Sequence, residues 1–183
     1  MVEIVKVSTE TQIAAVARLA REIWVDHYAP IIGRAQVDYM LSNFQSEAAI
    51  ARQLNEGQEY YLLRRDGQAA GYLALIAEPA EQRLKISKIY VDGRYRGQGL
   101  GRRLLAFTEE VCRERDLDML WLTVNRDNLD SIRWYESMGF RNTGPVMFDI
   151  GGGYVMDDYR MEKQLSEPGT SHGARGSLLH GDE

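Results

Sequence analysis

The stretch Arg96-Gly97-Gln98-Gly99-Leu100-Gly101 lies directly between a predicted strand and a predicted helix, and it decides the fold. The start of a helix carries backbone N–H groups without intrahelical partners and the positive end of the helix dipole. Glycine lets an anion approach such a backbone because no Cβ stands in the way. Arg94, Arg102 and Arg103 add positive charge nearby. The sequence therefore predicts a phosphate-binding glycine turn.

Two common phosphate-binding motifs do not fit this glycine turn. A dinucleotide fingerprint, G-x-G-x-x-G, would need glycine at the position of Arg102. Gly97 also lies six residues past Val91, which is too far for the tight first turn of a dinucleotide-binding unit. A P-loop would need Gly-Lys-Ser or Gly-Lys-Thr, and the chain contains neither. The pattern that remains is R-x-x-G-x-G after a strand.

A second group of polar residues lies on the helix predicted to begin at Asn128. Gly139 ends this helix as a typical C′ glycine, and Asn128 is typical of an N-cap. Ser131 and Tyr135 are four residues apart, so they share one face of the helix. Without further context, Tyr135 would be interpreted as an aromatic residue on the buried face.

These features together resemble the GNAT superfamily of N-acetyltransferases. The resemblance rests on Ile89-Tyr90-Val91, the glycine turn, the segment from Asn128 to Tyr135, and Gly139-Phe140, and it spans roughly residues 2–164. It implies an α/β fold with a mixed, mostly antiparallel central sheet, one splayed parallel pair of strands, and helices on both faces. It implies acetyl-CoA as co-substrate, with its pantetheine arm between the splayed strands, and no metal.

The resemblance also implies roles for the candidate site residues. Main-chain groups of Ile89 and Val91 would pair with the pantetheine arm, and the N–H of Val91 would face the acetyl oxygen. Tyr135 would protonate the departing sulfur, which a phenol with a pKa of about 10 can do. The implied cofactor-binding residues are Ile89, Tyr90, Val91, Arg96, Gly97, Gln98, Gly99, Leu100, Gly101, Arg102, Asn128 and Ser131.

The chain departs from the GNAT pattern at the residue that would take the proton of the amine. Relatives often carry a glutamate on the strand ahead of the glycine turn, and Ser87 stands at that place. Ser87 is not a strong base, but it can position a water that takes the proton. It is therefore the third candidate catalytic residue, beside Tyr135 and Val91. Glu78, Asp26 and His27 are candidate substitutes, although each is more typical of an ordinary polar residue.

The remaining sequence predicts one domain over residues 1–166 and a disordered tail at residues 167–183. A strand is predicted at residues 2–7, and Asp66-Gly67 predicts a hairpin between two further strands. A second hairpin around residues 151–153 closes the domain.

Two local irregularities are predicted within these elements. Pro30 should end the first helix soon after Tyr28, because proline removes a helical hydrogen bond. A switch in the phase of apolar residues predicts a β-bulge near Lys88-Ile89.

Composition excludes several other classes of function. The chain has 183 residues and a net charge of −5, which disfavours nucleic acid as a partner. It shows no membrane span and no signal peptide, so a cytoplasmic location is expected. Cys112 is the single cysteine and is predicted to be a buried, unreactive thiol. His27 is the single histidine outside the predicted tail, which leaves no Ser-His-Asp triad.

The amine acceptor is the less defined half of the predicted reaction. Its walls are expected to be residues 24–33 and 149–159, where Asp149, Asp157 and Asp158 could attract a cation. The closing segment resembles bacterial GNAT members that acetylate polyamines or other small amines, so a small cationic amine is the expected acceptor. Protein N-termini or lysines are the alternative acceptors, and a non-catalytic acyl-CoA-binding module is the alternative of another class. Either a monomer or a homodimer is expected.

Overall fold

The computed structural model describes residues 1–165. This part of the chain forms β1 (Val2–Lys6), α1 (Glu10–Ile32), α2 (Arg34–Phe44), α3 (Glu47–Asn55), β2 (Glu59–Arg65), β3 (Gln68–Glu78), β4 (Arg83–Val91), α4 (Leu100–Glu114), β5 (Met119–Asn125), α5 (Leu129–Ser137), β6 (Arg141–Gly151) and β7 (Tyr154–Gln164). The strands form one sheet in the order β1-β2-β3-β4-β5-β7-β6. Only β4 and β5 are parallel neighbours in this sheet, which confirms the predicted mixed fold. The predicted tail lies outside the described residues.

Two hydrophobic cores hold the helices against opposite faces of the sheet. On one face, Leu104 of α4 packs into the same core as Leu84 of β4 and Leu120 of β5. On the other face, Trp24 of α1 packs with Tyr72 of β3, and the Trp24 indole N–H donates to the Tyr72 hydroxyl at 3.0 Å. Fully burying each such apolar side chain contributes about 1.5–3 kcal/mol. The sheet is therefore held from both sides around its centre, where β4 and β5 lie.

The parallel pair β4–β5 is joined only at its beginning. The residues Arg83–Lys85 pair with Met119–Trp121, and no further pairs follow. On the β3 side of β4, Ile86 pairs with Leu75 and Lys88 with Ala74, so Ser87 is an extra, bulged residue. The bulge predicted near Lys88-Ile89 thus lies slightly earlier. Since a bulge bends its strand, this one accounts for the separation of β4 from β5.

The first helix differs from its predicted end. The Thr9–Gln12 capping box is present, but α1 runs through Pro30 to Ile32 instead of ending near Tyr28. Pro30 lies in the last turn, so it removes only one helical hydrogen bond near an exposed end, which a helix tolerates. Gly33 ends the helix instead, with a φ of 89° that favours glycine.

Three further features bear on the predicted function classes. Cys112 is fully buried, and burial raises the pKa of its thiol to about 11, so the prediction of a buried thiol is confirmed. Among residues 1–165, none of the helices combines the length and apolar character that crossing a membrane requires. Within the same residues, no three His, Cys, Asp or Glu side chains are placed to hold a metal ion.

Candidate active site

A cleft of about 610 Å³ opens where β4 and β5 separate. The glycine turn, the start of α5 and residues of α1 complete its walls. Every predicted site residue except Gln98 lines it: Ser87, Ile89, Tyr90, Val91, Arg96, Gly97, Gly99, Leu100, Gly101, Arg102, Asn128, Ser131 and Tyr135. The glycine turn and the start of α5, which are 27 residues apart from Gly101 to Asn128, therefore meet in one place.

The cleft exposes a free edge of β4. Beyond Lys85, this strand pairs only with β3, so its other side faces the gap. The N–H of Asp92 donates to the carbonyl of Ala70 on the β3 side at 2.8 Å. Since backbone groups alternate in direction along a strand, the N–H groups of Val91 and Ile89 point into the gap. Such an edge can pair with an extended ligand as if the ligand were a further strand.

The glycine turn has a backbone shape that other residues rarely adopt. Gly97 and Gly99 have φ values of 77° and 73°, and Gly99 is the N-cap of α4. A Cβ at either position would meet no atom within 4 Å, so backbone conformation rather than crowding requires glycine there. Gly101 has a different reason, because its Cβ would lie 3.2 Å from the ring of Trp134 on α5. The turn thus lines the cleft with residues that carry no side chain at Gly97 and Gly99, and Gly101 lets α4 pack against α5.

The arginines around the turn do not all serve the cleft. Arg96 and Arg102 line it. Arg94 instead pairs with Asp92 at 2.7 Å, where its guanidinium holds the pKa of that carboxyl below its ordinary value. Arg103 is exposed and does not line the cleft. Two cations of the predicted four are thus placed to meet an anion.

Asn128 occupies the N-cap position of α5 but does not cap it with its side chain. Its amide Nδ2 lies 3.1 Å from Nε2 of His27 on α1, and both residues line the cleft. The prediction of a side-chain cap was therefore wrong, since the buried amide finds a partner across the cleft instead. Burial, and then the charge of Arg96, lower the pKa of His27, so this imidazole is neutral near pH 7.

Tyr135 lies at the inner end of the cleft, buried against Trp134 and Phe140. Burial raises the pKa of its hydroxyl well above the ordinary value of 10.0, so the phenol stays protonated at neutral pH. A pair of tyrosines, Tyr28 and Tyr90, lies nearby, and their hydroxyl oxygens are 2.9 Å apart. The Tyr90 side chain packs toward α1 among other aromatic rings. The Tyr90 ring therefore belongs to the core on the α1 side of the sheet.

The structure gives each predicted substitute for the missing base a different position. Glu78 accepts from the Trp121 indole at 2.6 Å and pairs with Arg83 at 3.0 Å. Burial would raise the pKa of Glu78, but these hydrogen bonds hold it below its ordinary value, and Glu78 does not line the cleft. Asp26 is exposed and also lies outside the cleft lining. Ser87 lines the cleft, where Lys88 donates to its hydroxyl at 3.2 Å.

Helix α2 follows one predicted acceptor wall, residues 24–33, and contacts the other, residues 149–159. The Gln36 amide donates to the carbonyl of Val155 at 3.1 Å, and the Tyr39 hydroxyl donates to that of Ile150 at 2.9 Å. Because β5 pairs with β7 only as far as Asn125, the tip of the β6–β7 hairpin extends beyond the end of β5. The hairpin and α2 therefore form a joined wall on the α1 side of the gap.

The three acids predicted to attract a cation differ in environment. Asp149 is exposed, and its carboxylate accepts the N–H of Gly151. Asp157 pairs with Arg126 at 3.1 Å. Asp158 is 3% exposed, and its Oδ1 has no hydrogen-bond partner among the described residues. Sequence patterns do not distinguish the three, because pairing and burial depend on distant elements.

The comparisons with known proteins point to one family. Residues 17–140 match the Acetyltransferase (GNAT) family. The chain is 28% identical over 171 residues to an uncharacterized N-acetyltransferase in the pepI 3′ region of Lactobacillus delbrueckii subsp. lactis, covering 90% of this chain and 98% of that protein. Over 88 residues it is 34% identical to the ribosomal protein bS18-alanine N-acetyltransferase of Escherichia coli strain K12, covering 47% of this chain and 58% of that protein.

A solved structure shares the fold. The PaiA N-acetyltransferase of Thermoplasma acidophilum, crystallised in complex with coenzyme A, superposes with a TM-score of 0.73 at 22% identity. The match covers 90% of this chain and 99% of that chain. With the family match spanning more than half of the sequence, the chain belongs to the GNAT family and is an N-acetyltransferase.

Proposed function

We propose that this chain transfers the acetyl group of acetyl-CoA to the primary amine of a small acceptor, by direct attack in a ternary complex. The observation that carries the proposal is the single cleft that joins the glycine turn, the free edge of β4 and Tyr135. Direct attack is favoured because Cys112, the single cysteine of the chain, is buried with a raised pKa and does not line the cleft.

Each part of the cleft has a step in this reaction. The backbone N–H groups of the glycine turn, with Arg96 and Arg102, would hold the pyrophosphate of acetyl-CoA, and the edge of β4 would pair with its pantetheine arm. Attack by the amine places negative charge on the acetyl oxygen, which the N–H of Val91 would stabilise by roughly 3–4 kcal/mol. The C–S bond then breaks, and the protonated Tyr135 hydroxyl would give its proton to the sulfur.

A small acceptor is favoured by the wall that α2 and the β6–β7 hairpin form together. The hydrogen bonds from Gln36 and Tyr39 tie the hairpin to α2, on the side from which the amine would approach. We infer that this joined wall leaves more room for a small amine than for an extended peptide.

The charges on this side of the sheet favour a monoamine over a polyamine. Lys88 lines the cleft, and Lys85 lies over the ring of Trp121 at 4.8 Å. Neither lysine forms an ion pair within residues 1–165, whereas Asp157 and Glu78 are both paired with arginines. A second positive charge on the acceptor would therefore meet two lysines and few free carboxylates.

The test is an assay of thiol release with acetyl-CoA and four kinds of acceptor: spermidine, simple monoamines, free amino acids, and a short peptide with an N-terminal alanine. The buried Cys112 keeps the background of the thiol reagent low. We expect turnover with at least one small monoamine, and faster turnover than with spermidine. Turnover with the peptide alone would instead support the protein-acetylating alternative, which the Escherichia coli relative suggests.

The matched variants are Tyr135→Phe and Tyr61→Phe. Both remove one phenol hydroxyl, but Tyr61 lies away from the cleft and donates to Glu59. Loss of a general acid lowers kcat by about 10²-fold or more. We therefore expect that loss for Tyr135→Phe and near-normal kcat for Tyr61→Phe. Equal activity of the two variants would refute the role of Tyr135, and failure of the wild type to bind acetyl-CoA would refute the proposed function.

A further inference from the structure

One carboxylate oxygen of the sheet is buried without a hydrogen-bond partner on the acceptor side of the gap. Asp158 lies on β7 opposite Asn125, the last residue of β5, at the level where β4 and β5 are already apart. The residue is 3% exposed, and its Oδ1 has no hydrogen-bond partner within residues 1–165. A buried carboxylate oxygen is ordinarily satisfied, so this one calls for a functional explanation.

The groups facing Asp158 come from three other elements. Tyr28 faces it from α1, Lys85 and Lys88 from β4, and the Thr123 hydroxyl from β5. Tyr28, Lys88 and Thr123 all line the cleft, so Asp158 lies immediately behind the cleft wall.

The other neighbours of Asp158 do not neutralise it. On its own strand, the charge of Asp157 raises the pKa of Asp158, but Asp157 is paired with Arg126; Arg160, two residues along, is paired with Glu162. The partner on β6 is the apolar Val146. Asp158 itself does not line the cleft; it is buried behind Tyr28, Lys88 and Thr123 and has no salt bridge of its own within residues 1–165.

We propose that Asp158 is the group that takes the proton from the acceptor's ammonium, the role for which the chain lacks a glutamate at Ser87. This inference rests on the proposed function. The ammonium gives one proton to the free Oδ1, and the neutral nitrogen attacks the acetyl carbon. As the C–S bond breaks, Tyr135 protonates the sulfur and regains a proton from the nitrogen. The products are the amide, coenzyme A with its thiol protonated, and one proton on Asp158 that passes to water.

The electrostatics suit this role. Burial raises the pKa of Asp158 to about 6, although the Thr123 hydroxyl and the two lysines lower it in part. A base works best when its pKa lies near the working pH, and at pH 7 Asp158 is mostly ionised and ready to accept a proton. Burial also lowers the pKa of Lys88 to about 8, so this lysine loses its charge at a lower pH than an exposed lysine does.

The experiment is the pH profile of kcat/KM for wild type, Asp158→Asn and Asp116→Asn, with a monoamine found in the acceptor panel. Asp116 is an exposed residue after α4 with a φ of 55°, a conformation that asparagine also tolerates. We expect wild type and Asp116→Asn to rise through about pH 6 and then level off. Asp158→Asn should lose about 10²-fold or more at pH 7 and keep rising toward the pKa of the amine itself, because only amine that is already neutral can react.

Two further measurements separate proton transfer from a structural effect. A fluorinated, weakly basic analogue of the same amine is already neutral at pH 7, so the Asp158→Asn loss should largely disappear with it. Thr123→Val removes the hydroxyl that favours the ionised carboxylate, so the acid limb should move to higher pH. Tight binding of acetyl-CoA by Asp158→Asn is expected throughout.

The results distinguish a failure of the Asp158 assignment from a failure of the proposed function. An unchanged pH profile in Asp158→Asn, or an equal loss with the fluorinated amine, would overturn the assignment of Asp158 while leaving acetyl transfer intact. If the wild type binds acetyl-CoA but turns over no amine, the proposed function fails, and the assignment of Asp158 fails with it.

Discussion

Replacing Asp158 by asparagine should stabilise the protein at neutral pH. The pKa of this carboxyl rises from an ordinary 3.8 to about 6 in the folded protein because the group is buried. An acid with a raised pKa binds its proton more tightly in the folded than in the unfolded state. Its contribution to stability is therefore complete below about pH 4 and is lost as the pH rises through about 6.

The magnitude follows from the shift. Two pKa units correspond to about 3 kcal/mol, at about 1.4 kcal/mol per unit. Asparagine has nearly the same shape as the protonated acid and cannot ionise, so Asp158→Asn should avoid most of this cost above pH 7. For a chain of this size, about 2–3 kcal/mol raises Tm by about 5–10 °C.

Thermal unfolding followed by circular dichroism between pH 4.5 and 8 measures this effect, with Asp116→Asn as the control. We expect the Tm advantage of Asp158→Asn to be largest at pH 8 and to shrink toward pH 4.5, and the control to follow wild type. A lower Tm for Asp158→Asn at pH 8 would refute the reasoning, because it would show that Lys85 and Lys88 stabilise the ionised carboxylate more than burial destabilises it.

Three other perturbations test separate parts of the structure. Gly99→Ala and Gly67→Ala both place a Cβ at a left-handed glycine with open space around it, and each should cost about 1–2 kcal/mol of stability. Only Gly99→Ala should raise the KM for acetyl-CoA, by about tenfold in a kinetic assay; an equal KM for both would argue against the turn as the phosphate site. Cys112 should resist a thiol reagent at pH 8 in the folded protein and react at once in denaturant, because its pKa is raised to about 11; rapid labelling without denaturant would contradict its burial. Glu78→Gln should change kcat/KM by less than about threefold, since Arg83 and Trp121 already hold this carboxylate; a loss of pH dependence in that variant would make Glu78 the base.

The cofactor half of the site could be predicted from the sequence because it is built from local backbone. Residues 96–101 form a turn between a strand and a helix, and consecutive residues of the sequence are enough to predict both its glycines and its position. The free edge of β4 also follows from a local feature, the bulge at Ser87, which the phase of apolar residues placed to within two positions. Periodicity reports such features well, since they depend on neighbours along the chain.

The acceptor half could not be predicted, because it depends on which side chains meet across the fold. Asn128 has the sequence of an N-cap, yet its amide turns to His27, 101 residues away. Glu78 could have served as a base until Arg83 and Trp121 were found to hold it. Asp158 follows another aspartate, and nothing in that pair indicates that Asp157 is half-buried and paired with Arg126 while Asp158 is buried with one oxygen unpartnered.

A structural role and a catalytic role for Asp158 predict opposite combinations of results. If the carboxylate served mainly to hold β7 against β4, its removal would lower both Tm and activity. If it is held ready to accept a proton, its burial is a cost to the fold that only the reaction explains, so Asp158→Asn should gain stability and lose activity at the same pH. Such a trade-off is common where function requires a group in an unfavourable environment. A rise in Tm with a fall in kcat/KM at pH 7 would therefore be stronger support for the acceptor site than either measurement alone.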